Sequence, residues 1–164
     1  KKHADYIMDT SHMLVRELKQ EIDKIFLENE EYQNFFITIL SFGFKYGIPA
    51  DCDLVFDVRF LPNPYYIPEL KKKTGNDFEV YDYVMKSEQA KEFDEKLFDM
   101  IKFLVPNYIT EGKNQLVIGI GCTGGKHRSV SLANALAKHM QELPYSLKVE
   151  HRDIEKDAKT KGEN

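Results

Sequence analysis

Apolar residues fall along this chain in short runs divided by polar and glycine-rich stretches. FFITIL at 35–40, DLVFDV at 53–58 and QLVIGI at 115–120 are nearly continuous apolar runs, as in strands buried on both faces. SLKVEH at 146–151 predicts a last strand. Between the runs the period changes to that of a helix. Ala90, Phe93, Leu97, Met100, Ile101 and Leu104 predict a long amphipathic helix that opens on Ser87 as its cap and stops at Pro106. Val130, Leu132, Ala133, Leu136, Ala137 and Met140 predict a second helix, ending near Pro144. Upstream, ADYIM at 4–8 reads as a strand. Asp9-Thr10-Ser11 reads as a cap, and Leu14, Val15, Leu18, Ile22, Ile25 and Phe26 as a helix. ENEEYQ at 28–33 is a polar linker, and the tail IEKDAKTKGEN is expected to fray.

Strands alternating with helices predict an α/β layered domain with a mostly parallel sheet and flanking helices. In such sheets ligands bind beyond the carboxyl ends of the strands. That rule singles out the loops 41–49, 59–65 and 121–129. Residues 1–30 read as the tail of a preceding domain, and 31–164 as the domain that carries these loops.

Composition narrows the class. Of the 164 residues, 42% are hydrophobic and 30% charged, which excludes a disordered or collagen-like chain. No run of about 18 apolar residues is present, and no signal-peptide pattern opens the sequence. The net charge of −4 gives no global attraction to nucleic acid, so any such binding needs a local patch. Two cysteines, Cys52 and Cys122, are too few for a disulfide framework or a four-thiolate zinc site. They agree with a reducing, cytoplasmic setting.

The sharpest chemistry lies in Gly121-Cys122-Thr123-Gly124-Gly125-Lys126-His127-Arg128-Ser129, between a strand and a helix. Consecutive glycines let backbone N–H groups converge, and the helix N-terminus adds partial positive charge. Lys126 and Arg128 add full charges, and Thr123 and Ser129 add hydroxyls. The result is an anion cradle suited to phosphate, although the GxxxxGK[ST] spacing is absent. Cys122 and Arg128 also stand at the nucleophile–arginine spacing of cysteine phosphatases, with Asp57 and Asp153 as candidate proton donors. The plainer reading of Cys122 is a small residue packed at a strand end.

Other candidates surround this loop. Asp57 and Arg59 share a face at the end of the second strand and read either as an acceptor with an anion clamp or as a structural ion pair. Asn63, between two prolines, reads as a turn former or a rigid hydrogen-bonding residue. Lys45 and Tyr46 occupy the first loop, and His151 and Arg152 follow the last strand. Lys71-Lys72-Lys73 is the densest positive run and a candidate contact for nucleic acid, as are Lys156 and Lys159 near the end. His3, His12 and His139 have no partners at metal spacing, and no metal site is expected.

SFGFKYGIPADCDLVFDVRFLPNPYY at 41–66, Thr74-Gly75, IGCTGGKHRSV at 120–130 and HRDIEK at 151–156 together resemble the C-terminal half of the RapZ/YvcJ proteins, a bacterial family of RNase adapters and nucleotide-binding proteins. ADYIMDTS at 4–11 is similar to the last strand of that family's N-terminal P-loop domain. The resemblance implies that residues 1–30 are the last strand and helix of the P-loop domain, whose ATP- or GTP-binding Walker A loop is not in this chain. It also implies a regulatory, non-catalytic domain over 31–164 with no cofactor of its own. The implied ligand is glucosamine-6-phosphate or a related anion, held by residues matching Cys122, Thr123, Gly124, Gly125, His127 and Arg128. A small RNA, a regulatory protein partner and a homo-oligomer are implied as well, in control of cell-envelope precursors. The enterobacterial pattern carries His where this chain has Tyr46, and the closer likeness is to the Gram-positive branch.

Overall fold

The computed structural model describes residues 35–156 and, upstream of them, Thr10, Ser11, Met13–Val15, Leu18, Lys19 and Ile22. The strand expected at 4–8, the linker at 28–33 and the tail beyond 156, with Lys159, lie outside the described residues. Four strands form one sheet: β1 (Phe36–Gly43), β2 (Leu54–Asp57), β3 (Gln115–Cys122) and β4 (Ser146–His151). Their order is β2-β3-β1-β4, and every pairing is parallel. The expected layered α/β domain is therefore present, with a sheet that is wholly parallel.

The helices are α1 (Pro68–Lys71), α2 (Phe78–Met85), α3 (Glu88–Thr110) and α4 (Arg128–Met140). Ser87 caps α3 as expected, its hydroxyl accepting the Ala90 N–H at 3.3 Å. The fold departs from the sequence pattern at two helices. The segment 78–85, for which no element is predicted above, forms α2, with Val80 and Val84 and also Tyr81 and Met85 four residues apart. It carries aromatic and β-branched residues, and it buries only Val80 and Val84, one turn apart. And α3 does not stop at Pro106 but runs on to Thr110. Proline removes the hydrogen bond to the carbonyl four residues back. Here Lys102 and Pro106 are both exposed, so the unpaired carbonyl belongs to the solvent-facing side of the helix, which continues.

Alternation across the strands builds the core. Ile37 and Ile39 of β1 lie beside Leu116 and Ile118 of β3 in register, all nearly inaccessible. Leu97, Ile101 and Val105 of α3 and Leu132, Ala133 and Leu136 of α4 close over that face. On the opposite face β3 carries Gly119 and Gly121. A Cβ on Gly121 would stand 2.5 Å from the Phe42 ring and 2.6 Å from Phe44, and one on Gly119 would stand 2.7 Å from Cys52 Sγ. Glycine there makes room for the 44–53 connection to lie against the sheet. Because all strands are parallel, their carboxyl ends open onto a single edge. The loops after β1, β2, β3 and β4 meet there.

Candidate anion-binding site

The loop after β3 is shaped by close backbone approach. Gly125 adopts φ +73°, a left-handed conformation that favours glycine. A Cβ on it would stand 2.6 Å from Gly43 N, and one on Gly43 would stand 2.6 Å from the Gly124 carbonyl carbon. The ends of β1 and β3 therefore meet backbone to backbone. From this loop α4 begins, with His127 as its cap residue. The His127 side chain accepts no hydrogen bond from the first-turn amides, and that turn contains no acidic residue. The Ser131 N–H, bonded to the His127 carbonyl at 2.9 Å, makes the first intrahelical bond. The amides of Arg128, Ser129 and Val130 thus have no acceptor within the helix, and the positive end of its dipole faces the loop. Arg128, Ser129 and Val130 are all buried, so this end is sheltered from bulk water.

Two residues that the sequence marks as chemistry also serve the loop's architecture. Cys122 is 3% exposed; its sulfur accepts the Gly125 N–H at 3.3 Å and lies 3.1 Å from Ser129 Oγ. It sits beneath the loop and ties its turn to the first turn of α4. Arg128 is also buried. Its guanidinium donates to the Arg59 carbonyl, to the Leu61 carbonyl at 3.4 Å and to Thr123 Oγ1 at 3.2 Å. It braces the proline-rich loop against the cradle. Thr123 is exposed, and Gly124 and Lys126 are partly so, which leaves these three as the loop's outward surface.

His127 is buried, and its Nε2 has no hydrogen-bond partner. Burial first, then Lys126, lowers its pKa, against the pull of the Lys73 and Lys71 backbone. The imidazole is neutral at pH 7. Lys126 Nζ donates to the Lys72 carbonyl at 3.1 Å, and the Lys126 carbonyl accepts the Gly75 N–H at 2.9 Å. The Lys71–Lys73 run is thereby stitched to the cradle, with Lys71 and Lys72 exposed.

The other loops complete the edge. Asp57 and Arg59 form a half-exposed ion pair at 2.6 Å, which holds the Asp57 carboxyl below its ordinary range. The Arg59 guanidinium stacks on Phe44 at 4.4 Å. Asn63 accepts the Tyr65 N–H at 3.3 Å and caps a 3-10 turn at Pro64–Tyr66. The ammonium groups of Lys45 and Lys156 each lie over the Tyr46 ring, at 4.7 and 4.8 Å from its centroid. His151 pairs with Ser41 Oγ at 2.8 Å, and burial lowers its pKa. Arg152 donates to the Gly47 carbonyl at 2.6 Å and contacts Asp153.

The structure thus gathers Lys45, Tyr46, Asp57, Arg59, Asn63, the 121–129 loop, His151, Arg152 and Lys156 at one edge, with Lys71–Lys73 alongside. Two residues serve the site in roles the sequence does not assign them: Asp153, a candidate proton donor, and Gly43, in the first loop, together brace the cradle from behind. The Asp153 carboxylate, 1% exposed, accepts the Gly43 N–H at 2.8 Å and pairs with Arg152 and Lys156. The one available signal is an acidic residue directly after the His-Arg pair. Among the described residues, no group of three or more His, Cys, Asp or Glu side chains is placed to hold a metal ion, and no helix is long and apolar enough to cross a membrane.

Residues 35–155 match the family model described as the RapZ C-terminal domain. The chain is 69% identical over 159 residues to a nucleotide-binding protein of Agathobacter rectalis, covering 96% of this chain and 55% of the relative. It is 67% identical over 156 residues to one from Lachnoclostridium phytofermentans, covering 95% and 55%. A nucleotide-binding protein of Caldanaerobacter subterraneus is 59% identical over 154 residues, covering 94% and 54%. The chain spans about half the length of these relatives.

Proposed function

The chain belongs to the RapZ C-terminal domain family, and on that premise we propose that it is a regulatory, non-catalytic module. In this reading it binds a phosphorylated amino sugar, glucosamine-6-phosphate or a close relative, in the loop 121–129. The observation that carries the reading is the start of α4: a buried helix N-terminus with no side-chain cap and no acid in its first turn, opening beneath a glycine loop. A phosphate there receives backbone N–H groups and the helix dipole at once. Thr123 and Lys126 border the site, and Arg59 lies across from it. The sugar faces the 44–47 loop, where Tyr46 offers a ring and a hydroxyl.

A second reading, RNA binding, draws on the same edge. Lys71, Lys72, Lys126 and Lys156 border it, and Tyr65 and Tyr66 are 51% and 81% exposed. Cations that follow a phosphate backbone, interleaved with aromatic rings that stack on bases, suit single-stranded RNA. The two readings combine if occupancy of the cradle changes affinity for RNA or for a protein partner, and the coupling would be reciprocal. Assembly into a homo-oligomer belongs to the same proposal.

Calorimetric titration with glucosamine-6-phosphate, glucosamine and inorganic phosphate tests the primary reading. The phosphosugar binds and glucosamine alone does not. Arg59→Ala and Lys126→Ala each weaken binding about tenfold, or about 1.4 kcal/mol. Absence of binding by any of the three removes the sensor reading. RNA affinity that falls steeply with salt then supports the second.

A further inference from the structure

One long edge of the sheet is left open. The Ser146 N–H donates to the Phe35 carbonyl at 3.1 Å, and the Arg152 N–H to the Ser41 carbonyl at 3.0 Å. Strand alternation therefore turns the backbone of Ser146, Lys148, Glu150 and Arg152 toward β1, and that of Leu147, Val149 and His151 outward. Strand β4 ends the order β2-β3-β1-β4, and the Leu147, Val149 and His151 N–H groups have no partner among the described residues. Outward N–H and C=O groups in a row are a template for a further strand. The opposite edge, β2, is only four residues long.

The side chains restrict which strand fits. Lys148 and Glu150 are exposed on one face, on either side of Val149, and pair with each other at 2.5 Å. Against an antiparallel copy of the same strand, centred on Val149, each Lys148 meets the Glu150 of the other copy. A parallel pairing in register sets Lys148 against Lys148. An antiparallel slip of two residues sets either Lys148 or Glu150 against its own counterpart. Like charges directly opposite destabilise a strand pair, so only the centred antiparallel register is matched in charge. The backbone selects the same register. It makes Val149 with Val149, and Leu147 with His151, the hydrogen-bonded pairs. Lys148 and Glu150 are then the closer, non-hydrogen-bonded pair, where side chains interact most. On the other face Leu147 and Val149 are half-buried against the core, and a second copy covers what they leave exposed.

We propose that the outer edge of β4 is a docking surface for a second copy of this chain, the two strands pairing antiparallel about a two-fold axis at Val149. This joins the two sheets into one continuous sheet. The inference rests on the homo-oligomer put forward above and names its surface. The occupant is a second copy rather than an unrelated strand because the charge pattern of β4 is its own complement. The interface also runs directly into Arg152 and Asp153, which brace the cradle, so assembly and the anion site share one end of β4.

Sedimentation velocity on the full chain, from about 5 to 500 μM, reads the assembly. The parent chain dimerises. Lys148→Glu and Glu150→Lys each weaken the dimer at least about tenfold, because each sets like charges opposite one another on both sides of the two-fold. An equimolar mixture of the two variants restores it, since every cross-strand pair is then of opposite charge. Both positions are exposed, so circular dichroism of either variant matches the parent. Amide exchange gives an independent readout. The Leu147, Val149 and His151 N–H groups gain protection as concentration rises, while those of Lys148 and Glu150, turned toward β1, do not change. A parent chain that stays monomeric throughout overturns this proposal and the homo-oligomer together. A dimer that both variants leave intact, or a mixture that assembles no better than either variant alone, overturns the β4 interface and leaves the homo-oligomer standing.

Discussion

Removing the carboxylate of Asp153 should loosen both the fold and the cradle. It is 1% exposed, accepts the Gly43 N–H at 2.8 Å, and pairs with Arg152 at 2.7 Å and Lys156 at 2.6 Å. In Asp153→Ala the Gly43 amide loses its acceptor, which alone costs about 1–3 kcal/mol. Breaking a buried ion pair from one side costs about 3–5 kcal/mol. Arg152 keeps the Gly47 carbonyl, and Lys156 is half exposed, so water repays part of the loss. The expected total is therefore about 3 kcal/mol, at the lower end of that range. With a urea m-value of about 1–3 kcal/mol/M, the midpoint falls by roughly 1–3 M. Urea unfolding followed by circular dichroism reads this directly. Asp153→Asn keeps an acceptor for Gly43 and should lose about half as much. Burial alone would raise the Asp153 carboxyl, but hydrogen bonds from Arg152, Gly43 and Lys156 bring it below the ordinary 3.8. A depressed carboxyl contributes stability that is present above its unfolded value and is lost as pH falls through its folded value. The gap between parent and Asp153→Ala should thus be full at pH 7 and shrink below about pH 4. A loss under about 1 kcal/mol at pH 7, or a gap indifferent to acid, would refute the reasoning.

Other expectations separate the site's parts. Gly43→Ala sets a Cβ 2.6 Å from the Gly124 carbonyl carbon, backbone that cannot step aside, and should cost about 2–3 kcal/mol with loss of phosphate binding by calorimetry. Gly47→Ala, with nothing within 4 Å but at φ +85° and ψ 154°, a conformation open essentially to glycine alone, should cost about 1–3 kcal/mol through backbone strain rather than steric clash. Asp94 has a folded pKa of about 6, above its ordinary 3.8, so its ionisation destabilises the fold. Relative to Asp94→Asn, the parent should therefore lose melting stability as pH rises from 4 to 7, and a flat difference would show that Asp94 titrates normally. Cys122→Ser should cost about 1 kcal/mol, because a hydroxyl still accepts the Gly125 N–H. Neither protein should hydrolyse an aryl phosphate, and turnover present in the parent but absent in Cys122→Ser would return the sulfur to chemistry.

The central strands β1 and β3 are legible because they are buried on both faces and so read as nearly unbroken apolar runs, while the edge strands β2 and β4 are half-exposed and carry polar residues among the apolar ones. Helix α4 is legible because Val130, Leu132, Ala133 and Leu136 pack completely. Helix α2 is hard to read because its eight residues are shorter than the window over which a helical period stands out, although Val80, Tyr81, Val84 and Met85 do share a face. The passage of α3 through Pro106 is hidden because the cost of a proline depends on whether the orphaned carbonyl meets water, which is a tertiary fact. The cradle can be read from Gly124-Gly125 beside Lys126 and Arg128. Its support by Asp153 cannot, because Gly43 and Asp153 stand 110 residues apart and meet only through the parallel register of β1 and β4.

Arg128 shows where local pattern runs out. Six positions after Cys122, it reads equally as an anion ligand and as a brace, since a guanidinium suits both phosphate and carbonyl oxygens. In the fold it reaches the Arg59 and Leu61 carbonyls and still touches Thr123, so it ties the loop after β2 to the loop after β3. The net charge of −4 misleads in a related way. Parallel strands send every carboxyl end to one edge, and there Lys45, Arg59, Lys72, Lys126 and Lys156 collect around the positive end of α4. At the other end of that helix lie Asp94, Glu95, Asp99 and Glu142, opposite Lys138 and His139 in its last turn. The helix dipole opposes this separation, since its positive end lies among cations and its negative end among acids; only Lys138 and His139 in the last turn complement it. A weakly acidic chain is nonetheless polarised along α4, because the parallel strands bring cation-bearing loops to its first turn while the acids of α3 lie beside its last.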